Sequence, residues 1–369
     1  MKAVIKWMAV SVFLIGCGKK DSKVEIKTLS QKIDSIFATV PDFSGVVLVA
    51  EKGKPIYHKA FGFANAETKQ KLDTTSIFEL ASVSKQFTSM LIAMLQVEGR
   101  LGYDELVEKY LPELPYKGIT IRHLLNHTSG LPDYQKLMDE KWDKSKVATN
   151  ADILMYLKKF HPLSLFRPGE KYEYSNTGYV LLGSIVEKIS GRDFVAFCRE
   201  RIFNPLEMSS TNIRTKKEKD SIPNFALGYM YVKEKKRYVR ADSFPSSNYT
   251  IWLGGRKGPG RISSTTSDLL KWDRALYTEK LVTKQTLNEM FAPAKLNDES
   301  FSDYGFGWML RSDSVLGKIV YHTGDNPGYK TEIVRYIDHD KTIIVLCNNA
   351  HEKFDELVKA IERQFPQQN

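Results

Sequence analysis

Two blocks of strand pattern stand at opposite ends of the chain, and this separation constrains the fold more than any other feature. Gly45 to Ala50 is a Val-rich strand. Glu51-Lys52-Gly53-Lys54 turns it, and Pro55 to Phe63 returns as a second strand. At the far end Lys318 to Thr323, Thr331 to Ile337 and Thr342 to Asn348 read as three more, with His339-Asp340 turning the last two. Between these blocks, from about 100 to 260, the pattern is mostly helical with long loops. Residues 29–39 and Glu352 to Gln364 read as amphipathic helices at the two ends. The simplest packing joins the ends into one antiparallel sheet covered by the terminal helices. The middle block then forms a second lobe, and a cleft falls between the two. The expected class is mixed α+β, with a sheet lobe over about 29–78 and 262–366 and an all-helical lobe over about 79–261.

The first 28 residues stand apart from that plan. Lys2 and Lys6 make a basic n-region, and Trp7 to Ile15 an apolar run too short to span a bilayer. Leu14-Ile15-Gly16-Cys17 resembles a bacterial lipobox, in which Cys17 becomes the lipidated first residue of the mature chain. Residues 1–16 are therefore expected to be a lipoprotein signal peptide and 17–28 a polar tether, placing the protein in the bacterial cell envelope, outside the cytoplasm and anchored to a membrane by lipid. With Lys2 and Lys6 removed, 52 basic side chains face 44 acidic ones, a net charge of +8. The basic residues are scattered in short runs, such as Lys233 to Arg237, without a nucleic-acid module. Cys198 and Cys347 sit in apolar contexts and read as buried free thiols.

Phe78 to Phe87 holds the only Ser-x-x-Lys of the chain, with Ser82 and Lys85 one helical turn apart and on one face. A serine hydroxyl needs a base within hydrogen-bond reach to be a nucleophile, and a desolvated lysine can be that base. The only Tyr-x-Asn among eighteen tyrosines is Tyr174-Ser175-Asn176, at the start of an apolar helix. A phenol near a cationic lysine can have its pKa lowered enough to move protons, and the Asn176 amide can hold Lys85 and a substrate carbonyl together. His322-Thr323-Gly324-Asp325 ends a strand. There a cationic or hydrogen-bonding His322 could polarise the site or recognise a carboxylate, and Gly324 could let substrate lie along the strand edge. The N–H groups of Asp325 and Ser82 could form an oxyanion hole. Each motif alone has an ordinary structural reading, as a helix cap, a half-buried aromatic or a strand-end turn.

Together and in this order they resemble the serine β-lactamase and penicillin-binding-protein superfamily, in its class C-like branch of esterases, D-peptidases and β-lactamase-related serine hydrolases. The resemblance extends over Ile121 to Leu131, Pro168 to Tyr179, Gly260 to Leu276 and Tyr304 to Trp308, and covers roughly residues 30–365. It implies that Ser82 is the acyl-accepting nucleophile, Lys85 its base and Tyr174 a general acid or base. It also implies that Asn176, His322, Thr323, Gly324 and Asp325 contact substrate. No cofactor or metal is implied. His322 stands where true β-lactamases more usually have lysine, which widens the expected substrates to esters, amides and D-amino-acid peptides, cell-wall-derived molecules among them. A β-lactamase or D-Ala-D-Ala carboxypeptidase is the alternative enzyme, and a ligand sensor on the same fold the non-catalytic one. Rival signatures fail. His123-Leu124-Leu125-Asn126-His127 lacks the glutamate of a zinc hydrolase, Gly255 to Gly260 lacks the Lys-Ser/Thr of a P-loop, and no Gly-x-Ser-x-Gly elbow exists.

Overall fold

A computed structural model describes residues 28–365, so the signal region, Cys17 and the tether before Thr28 lie outside the described residues. The two ends of the chain do join. Six strands run in the order Met309–Asp313, Gly317–Asn326, Tyr329–Tyr336, Lys341–Cys347, Gly45–Glu51 and Lys54–Phe61, every neighbour antiparallel. The register Gly45↔Cys347, Val47↔Val345, Glu51↔Lys341 closes the seam between the termini. This central pair is buried on both faces, which is why Val46 to Ala50 and Thr342 to Cys347 read as continuous apolar runs and not as alternating ones.

Each face of the sheet has its own core. On one face the helices Leu29–Ala38 and Phe354–Glu362 bury Ile33, Phe37, Leu357 and Ile361 against Val47, Val49, Ile343 and Val345. On the other, Val46, Leu48, Ile344 and Leu346 join a larger core reaching through the helix Lys85–Val97 into the helical lobe. Within that lobe Asn150–Phe160 and Asn176–Ser190 follow the periodicity. The second begins on a Ser175 side-chain cap and ends at Gly191, which holds φ +68°.

The lobe is not all-helical. Tyr229–Val232 and Arg237–Arg240 pair as a hairpin, with the basic run Lys233 to Lys236 as its turn. Asn212–Ile213 and Phe78–Glu79 flank Ile262–Ser264 in a small separate sheet. These strands are only two to four residues long, and those of the hairpin are mostly half-exposed, so they lack the apolar alternation that would announce them. Cys198 and Cys347 are both buried and free.

Candidate active site

Ser82 lies in a single 3-10 turn, Ala81–Ser84, that runs directly into the helix Lys85–Val97. The turn makes a sharp corner: Ala81 adopts φ +48°, a left-handed conformation that costs a non-glycine residue free energy. Ser82 caps nothing, so its hydroxyl is free for another partner. That partner is Lys85, whose Nζ lies 3.1 Å from Ser82 Oγ, 2.8 Å from Asn176 Oδ1 and 2.9 Å from the Pro259 carbonyl. Lys85 is fully buried, with Nζ also 4.7 Å from the Tyr174 ring centroid and 5.4 Å from that of Tyr179.

Burial holds the Lys85 amine well below its ordinary pKa, and the positive charge of Arg256 pushes it the same way. A neutral amine has two N–H donors and one lone pair. The carbonyls of Asn176 and Pro259 can only accept, so on deprotonation they would keep both remaining hydrogens, and the lone pair would turn to the Ser82 hydroxyl that Nζ otherwise donates to. This is the arrangement of a base aimed at its nucleophile.

Tyr174 lies beside Ser82 and Lys85, but the expected lowering of its pKa is reversed. Burial pushes the phenol far above its usual range, and the Ser82 hydroxyl offsets only part of that. Tyr174 therefore stays protonated, and it can donate a proton but does not rest as a phenolate. Behind it sits an aromatic nest of His127, Tyr304 and His322, with ring centroids 4.2, 6.2 and 6.2 Å from that of Tyr174. The sequence motifs did not single out His127 as part of this nest. It is fully buried, its Nδ1 accepts from the Ser175 N–H at 3.0 Å, and its ring supports Tyr174.

His322 is also displaced from its expected role. It is fully buried, and burial together with the nearby Lys85 lowers its pKa to about 3. Its Nδ1 donates to the Thr323 carbonyl at 2.6 Å, so its Nε2 accepts from the Tyr304 hydroxyl at 2.8 Å. A neutral imidazole with both nitrogens engaged is no cationic anchor for a carboxylate. Gly324 likewise serves the protein itself. A Cβ there would lie 2.3 Å from the Leu80 carbonyl and 2.2 Å from Thr331 Oγ1, so the missing side chain lets this strand press against the Ser82 corner. The neighbouring strand pairs only as far as Tyr321, which leaves the edge from His322 onward without a partner on that side. Thr323 lines a groove on the other face with Tyr321, Lys330 and Asp355. Asp325 borders both that groove and the Ser82 cleft, and burial raises its carboxyl above the ordinary value.

The cleft over Ser82 has a volume of about 70 Å3 and is bordered by Asn176, Tyr249, Arg256, Asp325 and Asn326. The structure thus brings Ser82, Lys85, Tyr174 and Asn176 together, with Asp325 across the cleft from the serine. No group of acidic, histidine or cysteine side chains fit to hold a metal occurs among the described residues.

A family model described as Beta-lactamase matches residues 33–365. The chain belongs to the beta-lactamase family. That makes it a beta-lactamase-related serine hydrolase, in the group that includes the penicillin-binding-protein homologues. It is 43% identical over 336 residues to penicillin-binding protein 4* of Bacillus subtilis, an alignment covering 89% of this chain and 74% of that one. Among solved structures, a penicillin binding protein from Bacillus halodurans superposes with a TM-score of 0.78 at 25% identity, over 92% of this chain and all of that one. The D-amino acid amidase from Ochrobactrum anthropi gives 0.74 at 25% identity, over 91% of this chain and 98% of the other.

Proposed function

We propose that this beta-lactamase-family hydrolase works outside the cytoplasm, through an acyl-enzyme on Ser82, on an ester, an amide or a D-amino-acid peptide bond. The observation that carries the reading is Lys85, buried, with Nζ 3.1 Å from Ser82 Oγ and its other two contacts the acceptor oxygens of Asn176 and Pro259. The Ser82 proton passes to Lys85 Nζ as Oγ bonds to the substrate carbonyl carbon. The carbonyl oxygen takes the negative charge, between the backbone N–H groups of Ser82 and Asp325. When the tetrahedral centre collapses, the bond to the leaving group breaks and that group takes a proton from Tyr174, which Lys85 reprotonates. A water molecule then repeats the sequence on the acyl-enzyme, releasing the acid and restoring the Ser82 hydroxyl.

Asn176 positions Lys85 and offers its amide N–H to the substrate carbonyl region. His322, Thr323 and Gly324 shape the strand beside which substrate lies. The Cys17 lipobox supports a membrane-tethered enzyme whose catalytic domain spans 29–366, acting on a small molecule or peptide that includes cell-wall-derived ones. A second reading, a penicillin-reactive D-Ala-D-Ala carboxypeptidase, is favoured by 43% identity to a protein named as a penicillin-binding protein. Covalent capture of a fluorescent penicillin by purified protein separates the two.

The acyl-enzyme reading is tested by Ser82→Ala, which should abolish labelling by a fluorophosphonate probe in a protein that melts as wild type does. Undiminished labelling would place the nucleophile elsewhere. Lys85→Ala should slow acylation by about a thousandfold or more, because the hydroxyl is left unactivated.

A further inference from the structure

The strand Tyr329–Tyr336 alternates between the two cores. Ile333 faces the helical lobe, while Val334 and Tyr336 face the terminal helices, so Glu332 falls on the terminal-helix side as well. An acid stands there where the pattern calls for an apolar residue. Only 9% of Glu332 is exposed, yet its carboxyl makes no hydrogen bond and no ion pair among the described residues. The charges around it are engaged elsewhere or lie in solvent. Arg311 and the Tyr336 hydroxyl both donate to Glu362. Lys330 stands opposite Asp325 in the strand register, and Lys359 is exposed, as is Asp355, on the helix Phe354–Glu362. Burial and the neighbouring Glu362 and Asp355 push the Glu332 carboxyl up to about 8, against the pull of Arg311 and Lys359. A carboxyl kept out of water without a partner is costly, and in a folded protein it calls for a reason.

Glu332 lines the groove on the far face of the sheet from Ser82, a space of about 310 Å3 between the strands and the helix Phe354–Glu362. The walls of this groove suit one kind of molecule. Phe354 and Val358, both buried, and the ring of Tyr321 supply an apolar side. Thr323 faces Glu332 across the strand pair, and Asp355 adds a second carboxylate from the helix. These acids do not form a group fit to hold a metal ion, so the cation they match is an organic one. We propose that this groove is a second binding site, separate from the Ser82 cleft, for a small molecule that carries a primary ammonium group on an apolar stem, with the ammonium held by Glu332. Three N–H donors match the two carboxylates and the Thr323 hydroxyl, and a stem of several carbons lies along Phe354 and Val358. In the empty groove at neutral pH Glu332 is mostly protonated. When the ammonium binds, that proton leaves to solvent and the buried carboxylate gains its counter-charge. The strand Gly317–Asn326 stands between groove and nucleophile, so the inference does not depend on the hydrolase reading.

Titration calorimetry of the purified protein with n-hexylamine and with hexan-1-ol tests it. At pH 8 hexylamine should bind saturably, and the alcohol, which has the stem without the charge, about tenfold or more weaker. Between pH 8 and pH 6 the amine stays charged, but its affinity should fall by about tenfold or more, because only the ionised fraction of Glu332 accepts it. Glu332→Gln replaces a mostly protonated carboxyl by an amide of the same shape, so it should melt close to wild type. It should weaken hexylamine by about 30-fold or more at pH 8 and abolish the pH dependence. Ser82→Ala should bind hexylamine as wild type does. The inference is overturned by absence of saturable amine binding, by equal affinity for amine and alcohol, or by amine binding that Glu332→Gln leaves intact. Loss of amine binding in Ser82→Ala also overturns it, since the amine would then sit in the catalytic cleft. If Glu332→Gln fails to fold, the wild-type pH series decides alone, and an affinity unchanged between pH 8 and pH 6 overturns the assignment to Glu332. Each of these outcomes leaves the acyl-enzyme on Ser82 untouched.

Discussion

Lys85 shows how one environment can set both the protonation state and the aim of a catalytic group. Its three contacts could also satisfy an ammonium, which has three hydrogens to give. Burial favours the neutral amine, and the Arg256 charge pushes the same way. The two can be separated by pH. If Lys85 must be neutral to take the Ser82 proton, kcat/KM rises with pH through the Lys85 pKa. That pKa is depressed, so the rise lies below the range of an ordinary lysine. Removing the Arg256 cation lessens the depression and should move the rise to higher pH in Arg256→Gln, read as a pH profile on a neutral ester. A rise that moves to lower pH would mean that a different group is titrating. Tyr174 runs the opposite way to the sequence expectation. Proximity to a lysine suggested a lowered phenol pKa, but burial raises it and the Ser82 hydroxyl offsets only part of that, so desolvation wins.

At the scale of elements, the site is a meeting of one turn, one helix start and one strand. Ala81 in its left-handed conformation turns the chain, Ser175 caps the helix that begins at Asn176, and Gly324 lets the His322 strand reach the Leu80 backbone. Gly324→Ala would place a methyl 2.3 Å from the Leu80 carbonyl, so strand or corner must shift. The expected cost is about 1–3 kcal/mol in urea unfolding. The larger effect should be on kcat/KM, at least tenfold, because Ser82 lies two residues from the point of contact. An alanine variant with unchanged activity would show that the approach does not position Ser82. The helices and sheet strands were legible because burial imprints a period on sequence, and Ser82, Lys85, Tyr174 and Asn176 were legible because their spacing is rare. Arg256 was not. A basic residue among Gly254, Gly255, Gly258 and Gly260 reads as solvated loop, and only tertiary packing buries it. The close approach that Gly324 allows was not legible for the same reason, since its close neighbours come from Leu80 and Thr331.

At the scale of the molecule, the lobes must stay in register for Ser82, Lys85 and Asn176 of the helical lobe to meet the His322 to Asp325 strand of the sheet lobe. The helix Thr266–Ala275 follows the small sheet beside the site and packs on the large sheet, so its attachment sets that register. The attachment is polar and buried. Arg335, with none of its side chain exposed, donates from Nε to Asp273 Oδ1 at 2.6 Å and from Nη2 to the Asp273 carbonyl at 3.2 Å. Thr342 from the next strand donates to the same carboxylate oxygen at 2.8 Å. Tyr277 lies 4.7 Å from the guanidinium carbon. The sequence gives no hint of this pair, because its members are far apart in the chain and each looks like a surface charge. Removing one member strands the other. Asp273→Ala should therefore cost about 3–5 kcal/mol, the range for leaving a buried charge uncompensated. The companion change separates that penalty from the worth of the pair. If the cost is mainly the stranded Arg335, then Asp273→Ala combined with Arg335→Met recovers much of the stability, since an apolar side chain of similar length needs no counter-charge. Urea unfolding of the two single variants and the double variant completes the cycle. A double variant no more stable than Asp273→Ala would mean instead that the hydrogen bonds to Asp273 tie helix to sheet, and the catalytic register should then fail with them.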